Sequence, residues 1–277
     1  MPSTIVTTSW DDGHHIDLRL AERLAASALK GTFYVALNHP GQKDIDDDEI
    51  RALRAMGMEI GSHTLTHRCL AGRPAEEVRH ELKESKARLE DIVGAPVIAL
   101  SYPEGAFTAV ACSALAETGY ELGRTTMAFH TAAVFEPARM PISVDFRRAS
   151  RIALARHALR DANIAGLADW LRLARLEADP LRLGTLLFDA ALARGGIFHV
   201  NARSWEIDGN LLWDDLAALL SYIANRPGVR YLTNSEVLAF ISPGATPRAR
   251  DRRLSQSLTP SQLAVAAHAS EAAMQAR

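Results

Sequence analysis

The sequence predicts an α/β chain wound into a closed or nearly closed β/α barrel. Three observations carry this. Strand-like and helix-like segments alternate from Thr4 to Ile241, the pattern of a parallel sheet covered by helices. The connections are long enough for right-handed crossovers. The side chains with chemical potential directly follow predicted strands, where barrel enzymes carry their sites. A doubly wound open sheet would share that last property, but no glycine-rich phosphate loop favours it.

Each element has a local reason. Thr4–Trp10 opens on a β-branched run and reads as a strand. Asp17–Leu29 is amphipathic, and Gly31 suits its C-terminal end. Thr32–Ala36 is a second strand. The acidic cluster Asp46-Asp47-Asp48-Glu49 opens helix Ile50–Met56. It reads as an N-cap with charges that complement the helix dipole, because its spacing is not that of a calcium loop. Met58–Ser62 is a third strand. Pro74–Val93 is a long helix with proline in its first turn and Gly94 after its last. Strand Val97–Tyr102, helix Thr108–Thr118, strand Tyr120–Arg124 and a further strand within Met140–Asp145 follow. Asp161–Ala178 and Leu181–Arg194 read as helices, Ile197–Val200 as a strand, and Trp213–Asn225 as a helix. Val229–Thr233 is the last strand, before helix Ser235–Ile241.

Ser242-Pro243-Gly244 then breaks the chain. The expected division is one folded domain, residues 1–242, and a polar, alanine-rich tail, residues 243–277, with room for one helix.

Composition narrows the class. The 277 residues are 48% hydrophobic and 23% charged, a globular balance with enough chain for a large core. A net charge of -2 gives no electrostatic basis for nucleic acid or anionic membrane binding. The N-terminus lacks a basic flank and an apolar core, so no signal peptide is expected, and no apolar run reaches membrane-spanning length. A cytoplasmic location is the expectation. Two cysteines, Cys69 and Cys112, do not make a disulfide framework and read as buried apolar side chains.

The chemistry centres on two segments. Ser9-Trp10-Asp11-Asp12-Gly13 puts adjacent carboxylates at the end of the first strand. In an extended strand they would point to opposite faces, but the turn implied by Gly13 can bring both to one rim. Ser62-His63-Thr64-Leu65-Thr66-His67 puts two imidazoles at i and i+4. On a helical turn both rings would grip one ion, with Thr64 and Thr66 placed to support them. Two imidazoles and one carboxylate suit a divalent metal with an open position, and the spare carboxylate can act as a base. Taken alone, the carboxylate pair reads equally as a capped turn and the histidines as surface residues. His199, in Ile197-Phe198-His199-Val200-Asn201, would ordinarily be a satisfied core histidine. It becomes a candidate because it lies on the same predicted rim.

Together these residues resemble the polysaccharide deacetylases, the NodB-homology or carbohydrate esterase 4 family. Ser9–Gly13 resembles the first motif, Thr/Ser-Phe-Asp-Asp-Gly, and His63 to His67 the second, His-Ser/Thr-x-x-His. Gly31-Thr32-Phe33-Tyr34 is also typical, Ser101–Gly105 occupies the third motif and Phe198-His199 the last. The resemblance implies a distorted β/α barrel that removes an acetyl group from an N- or O-acetylated sugar or oligosaccharide by attack of metal-activated water. It also implies roles: Asp11 as base, His199 as acid, and Asp12, His63 and His67 as ligands of one divalent ion. Zinc is the expected ion, with Fe2+, Co2+ and Ni2+ as alternatives.

The chain departs from the family at the third motif. Ser101 stands where an arginine usually steadies the base, and Glu104 where an aromatic is usual; Tyr102 and Glu104 become candidate substrate contacts. The fourth motif, an aspartate-tryptophan pair, has only the poorly placed Asp169-Trp170 to match it. Arg203, close after His199, is expected to supply the missing guanidinium by contacting Asp11 or Glu104, with Arg124 the other candidate. The segment after His199, Ser204-Trp205-Glu206, and the Tyr-Pro-x-Gly third motif resemble a divergent branch. Cleavage of another non-peptide amide, or a catalytically silent carbohydrate-binding barrel, are the competing readings. Intact Asp11, Asp12, His63 and His67 argue against silence, since a binding module needs no base beside a metal.

Overall fold

The computed structural model describes residues 4–40 and 45–241. The expected boundary at residue 242 and the tail 243–277 lie outside the described residues. In chain order the elements are β1 (Thr4–Asp12), α1 (Asp17–Ala26), β2 (Thr32–Val35), α2 (Asp47–Ala55), β3 (Glu59–Ser62), α3 (Ala75–Val93), β4 (Ala99–Ser101), α4 (Ala109–Glu117) and β5 (Leu122–Arg124). They continue as β6 (Val144–Asp145), α5 (Arg151–Arg160), α6 (Ile164–Ala174), α7 (Pro180–Arg194), β7 (Ile197–Ala202), α8 (Ser204–Gly209), α9 (Trp213–Ile223), β8 (Val229–Tyr231) and α10 (Asn234–Ile241).

The helix ends follow local chemistry. Asp46 and Glu49 form a reciprocal capping box at α2: the Glu49 N–H donates to Asp46 Oδ1 at 2.8 Å and the Asp46 N–H to Glu49 Oε2 at 3.1 Å. Gly94 ends α3 in the left-handed region, φ 64°. Two helices differ from the sequence reading. Helix α5, capped by Ser150 through Ala153 N–H, precedes the stretch read as a helix from Asp161 and was not expected; that stretch holds α6, which Asn163 caps through Gly166 N–H. The six-residue α8 was not expected at all.

Among the described residues every strand pairing is parallel, in the order β5-β4-β3-β2-β1-β7-β6. β1 is the longest strand and has three partners. β7 runs along one edge from Ile5 to Trp10, while the other edge is shared by β8 at Thr4–Val6 and β2 at Ser9–Asp12. The ends of the curled sheet are bridged by residues 140–145. Met140 N–H donates to the Gly123 carbonyl beside β5 at 2.7 Å, and Ser143 N–H to the His199 carbonyl on β7 at 2.9 Å. The result is the curled parallel sheet with an outer helical coat that the sequence predicts.

Strand alternation sorts the side chains into two environments. Val6, Trp10, Phe33, Ile60, Phe198 and Val200 pack outward against the helical coat, in the main core. Inside, Ile5, Ala99, Leu122, Met140 and Ile197 form a smaller apolar plug, closed by Val237 and Ile241 of α10. Above the plug the interior turns polar. The Thr7 hydroxyl donates to Asn234 Oδ1 at 2.8 Å, and Asn234 Nδ2 to the Tyr34 hydroxyl at 2.9 Å. Ser9 Oγ lies 2.8 Å from His199 Nε2 and 2.9 Å from Asn201 Oδ1. Such buried groups persist only when paired, and the paired layers lead up to Asp11. Cys69 and Cys112 are unpaired and half-buried rather than fully buried. Among the described residues no helix is long and apolar enough to cross a membrane.

Candidate active site

Both carboxylates of β1 reach the same rim, and the backbone explains how. Asp12 has φ 83° and Gly13 φ 75°, so the strand turns sharply before Asp12 can point to the outer face. Aspartate is among the few non-glycine residues that visit this region, at a cost of about 1–3 kcal/mol. At Gly13 a Cβ would also meet Val35 Cγ1 at 3.0 Å, so only glycine fits that turn.

His63 follows the last residue of β3. Its Nδ1 lies 2.8 Å from the Ser101 carbonyl. A carbonyl only accepts, so Nδ1 carries the proton and Nε2 is left with a lone pair. That Nε2 faces Asp12 Oδ1 at 3.5 Å, and His67 Nε2 faces the same oxygen at 3.3 Å. The three groups offer ligand atoms that all lie within 4.8 Å of one another.

The loop between the histidines is not the helical turn that the spacing suggested. Thr64 and His67 both sit at positive φ, 70° and 56°. Glu81, on α3, pins the loop. Its buried carboxylate accepts from Leu65 N–H at 3.0 Å, Thr66 N–H at 2.9 Å and the Thr66 hydroxyl at 2.6 Å. Thr64 Oγ1 accepts from the His67 N–H at 3.1 Å. The two threonines therefore brace the loop backbone rather than the rings. The His39 ring packs at a tilt against His67, 4.2 Å between centroids.

A divalent ion fits this donor set. Asp12 Oδ1 is buried and has no hydrogen-bond donor among the described residues. An oxygen so placed between two imidazole nitrogens is stabilised by a cation. One carboxylate and two nitrogens with an open side is a catalytic pattern. Burial pushes the Asp12 carboxyl up, but His63, His67 and Arg203 outweigh it and hold the group far below the usual carboxylate range.

Asp11 sits one layer below, fully buried. Arg124, at the end of β5 and also fully buried, ion-pairs with its Oδ1, and the guanidinium carbon stands 5.2 Å from the Tyr34 ring centre. Burial raises the Asp11 carboxyl, but Arg124, His63 and Arg203 overrule it, so it is lowered and stays ionised. Arg124 thus occupies the place left by Ser101.

Three expectations need correction, those for Arg203, Tyr102 and His199. Arg203 does not contact Asp11 or Glu104: its Nε lies 3.4 Å from Asp12 Oδ2 and its Nη1 3.0 Å from Glu206 Oε2. Tyr102 faces away from the site. Strand alternation turns Ser101 inward and Tyr102 outward, where its hydroxyl donates to the Ala138 carbonyl at 3.0 Å. Glu104 is exposed on a 3-10 turn, Pro103–Gly105, and only its carbonyl is held, by Arg160 at 3.3 Å. His199 is enclosed in the barrel. Its Nδ1 meets the Pro141 carbonyl at 3.0 Å and its Nε2 meets Ser9. Burial, reinforced by Arg124, pushes it down to about 3, so at neutral pH the ring is uncharged and its one proton is engaged.

Two contacts escaped the sequence reading. Glu81 looks like any charged residue on an amphipathic helix. Trp205 Nε1 donates to Asp12 Oδ2 at 2.8 Å; its only signal was the Ser-Trp-Glu segment.

A sequence model of the polysaccharide deacetylase family matches residues 1–123. Over 123 residues the chain is 26% identical to YxkH of Bacillus subtilis (strain 168), a protein named for that family; the match spans 44% of each chain. Among solved structures, a Mycobacterium smegmatis protein of the same designation superposes with a TM-score of 0.62 at 16% identity, covering 89% of this chain and 94% of that one. A family 4 acetyl xylan esterase from Clostridium thermocellum, solved with a cobalt ion, gives 0.53 at 13% identity over 85% and 90% of the two chains. The chain is thus a relative of the polysaccharide deacetylases, in sequence through residues 1–123 and in fold through most of its length.

Proposed function

We propose that this chain is a metal-dependent hydrolase that removes acetyl groups from an acetylated carbohydrate. One observation carries the reading: Asp12, His63 and His67 converge on a common point, beside a second carboxylate, Asp11, that is not spent as a ligand. A purely structural metal site has no use for that neighbour. The cobalt ion of the Clostridium thermocellum esterase supports a divalent ion in this fold, and zinc is the ion we propose.

Asp12, His63 and His67 would hold the ion. When bound, it would polarise the acyl carbonyl and lower the pKa of a water towards 7. Asp11 would take the proton from the attacking water, kept ionised and oriented by Arg124. With His199 uncharged and enclosed, we assign the return of that proton to Asp11 as well. The bond broken is the acyl C–N or C–O bond, and the proton ends on the departing amine or hydroxyl.

The test is acetate release from acetylated chito- and xylo-oligosaccharides. Release that a chelator abolishes and Zn2+ or Co2+ restores is the expected result. Metal-loaded protein that frees no acetate from any acetylated sugar overturns the proposal. Exposed Glu104, where the family has an aromatic, favours a second reading, cleavage of another non-peptide amide. A panel of N-acyl compounds without a sugar ring would reveal it.

A further inference from the structure

The two oxygens of Asp12 meet different surroundings. Oδ1 faces the imidazole pair and lacks a donor among the described residues. Oδ2 accepts the Trp205 indole N–H at 2.8 Å and lies 3.4 Å from Arg203 Nε. An aspartate can ligate through one oxygen or through both. An indole N–H can only donate, so while it sits on Oδ2 that lone pair is directed away from the ion. We propose that Trp205 is a positioning residue for Asp12, holding it as a one-oxygen ligand so that a coordination position stays free. This rests on the metal reading above.

The segment that carries Trp205 is built to hold it still. α8 is only six residues long, but Ile207 is fully buried in the core. Asp208 accepts from the Trp213 indole at 2.8 Å and pairs with Arg19 at 3.4 Å. Arg203, just before the helix, is tied to Glu206 at 3.0 Å. The Trp205 side chain is also placed oddly for a packing residue. The residue is 39% exposed, yet its one polar group is turned inward onto a carboxylate that is 3% exposed. Apolar packing alone gives no reason for that orientation.

The experiment is a Co2+ titration of metal-free protein, with the visible spectrum as readout. Trp205→Phe keeps the ring and loses the N–H. It should bind Co2+ about 10–100-fold more weakly, as removal of a ligand's hydrogen-bond partner typically does. Its absorption should also weaken as Oδ2 joins the ion and coordination rises. Arg203→Met, which also relieves Oδ2, should move the spectrum in the same direction. Because half-exposed Trp205 contributes little to the core, circular dichroism of Trp205→Phe should match wild type. Wild-type affinity and an unchanged spectrum in Trp205→Phe overturn this inference and leave the metal reading standing. Wild-type protein that binds no Co2+ overturns the metal reading, and this inference with it.

Discussion

Asp17 offers a stability measurement whose sign follows from its surroundings. It is fully buried at the start of α1. Its Oδ2 accepts from the His14 N–H at 3.0 Å. Burial is the largest influence on it; Ser204 and His14 pull the other way, Asp12 and Asp11 add to it, and the carboxyl is pushed up to about 7. An unfolded aspartate titrates near 3.8. Between those values folding takes up a proton. The contribution of Asp17 is therefore fully present below about pH 4, falls as pH rises towards 7, and stays lost above it. At ~1.4 kcal/mol per pKa unit, the gap is worth about 4 kcal/mol. Asp17→Asn carries an uncharged side chain at every pH and can still accept from His14. Urea unfolding of wild type and variant from pH 4 to 8 should give a stability difference near zero at the acid end. It should grow in the variant's favour to as much as ~4 kcal/mol at pH 8. A bound cation at Asp12 offsets nearby negative charge, so the growth should be smaller in metal-loaded protein. A difference that stays flat across this range refutes the reasoning.

Three further outcomes follow from the site. Asp11→Asn should retain metal by elemental analysis and lose on the order of 10²–10⁴-fold in kcat, the usual effect of removing a base; normal turnover would remove Asp11 from that role. Arg124→Met leaves the Asp11 charge buried without its ion-pair partner and should cost about 3–5 kcal/mol in denaturant unfolding at neutral pH. The double variant Asp11→Asn with Arg124→Met should recover most of that loss. His199→Gln should keep kcat within about tenfold of wild type, since the ring's one proton is engaged by the Pro141 carbonyl; a loss of ~10²-fold or more would return His199 to the acid's role.

The chemistry was more legible in the sequence than its supports were. Asp11, Asp12, His63 and His67 stood out because close spacing and strand ends mark them. Their partners come from distant points in the chain. Glu81 lies 14 residues beyond His67, in a helix with many exposed charges, and nothing local separates it from them. Arg124 sits 113 residues from Asp11 and was one of two candidates; only strand order decided between them. Tyr102 is a different error, since alternation from Ser101 already turns it outward. The missed helix α5 also left a readable trace, because Ser150 is followed by Leu154 and Ala158 at helical spacing. α8 left almost none, because six residues are too few for a periodic pattern.

The three partners of β1 have a consequence for how the chain is made. Ser9 meets Asn201 across a separation of 192 residues, and β8 comes later still. At the usual ~5–20 residues per second of synthesis, β1 emerges roughly 10–40 s before its β7 neighbour exists. Through that interval a β-branched segment waits with one edge unsatisfied, a template for another chain. Nascent protein should therefore depend on chaperone shielding of this first strand, and a fragment ending after β5 should aggregate rather than fold.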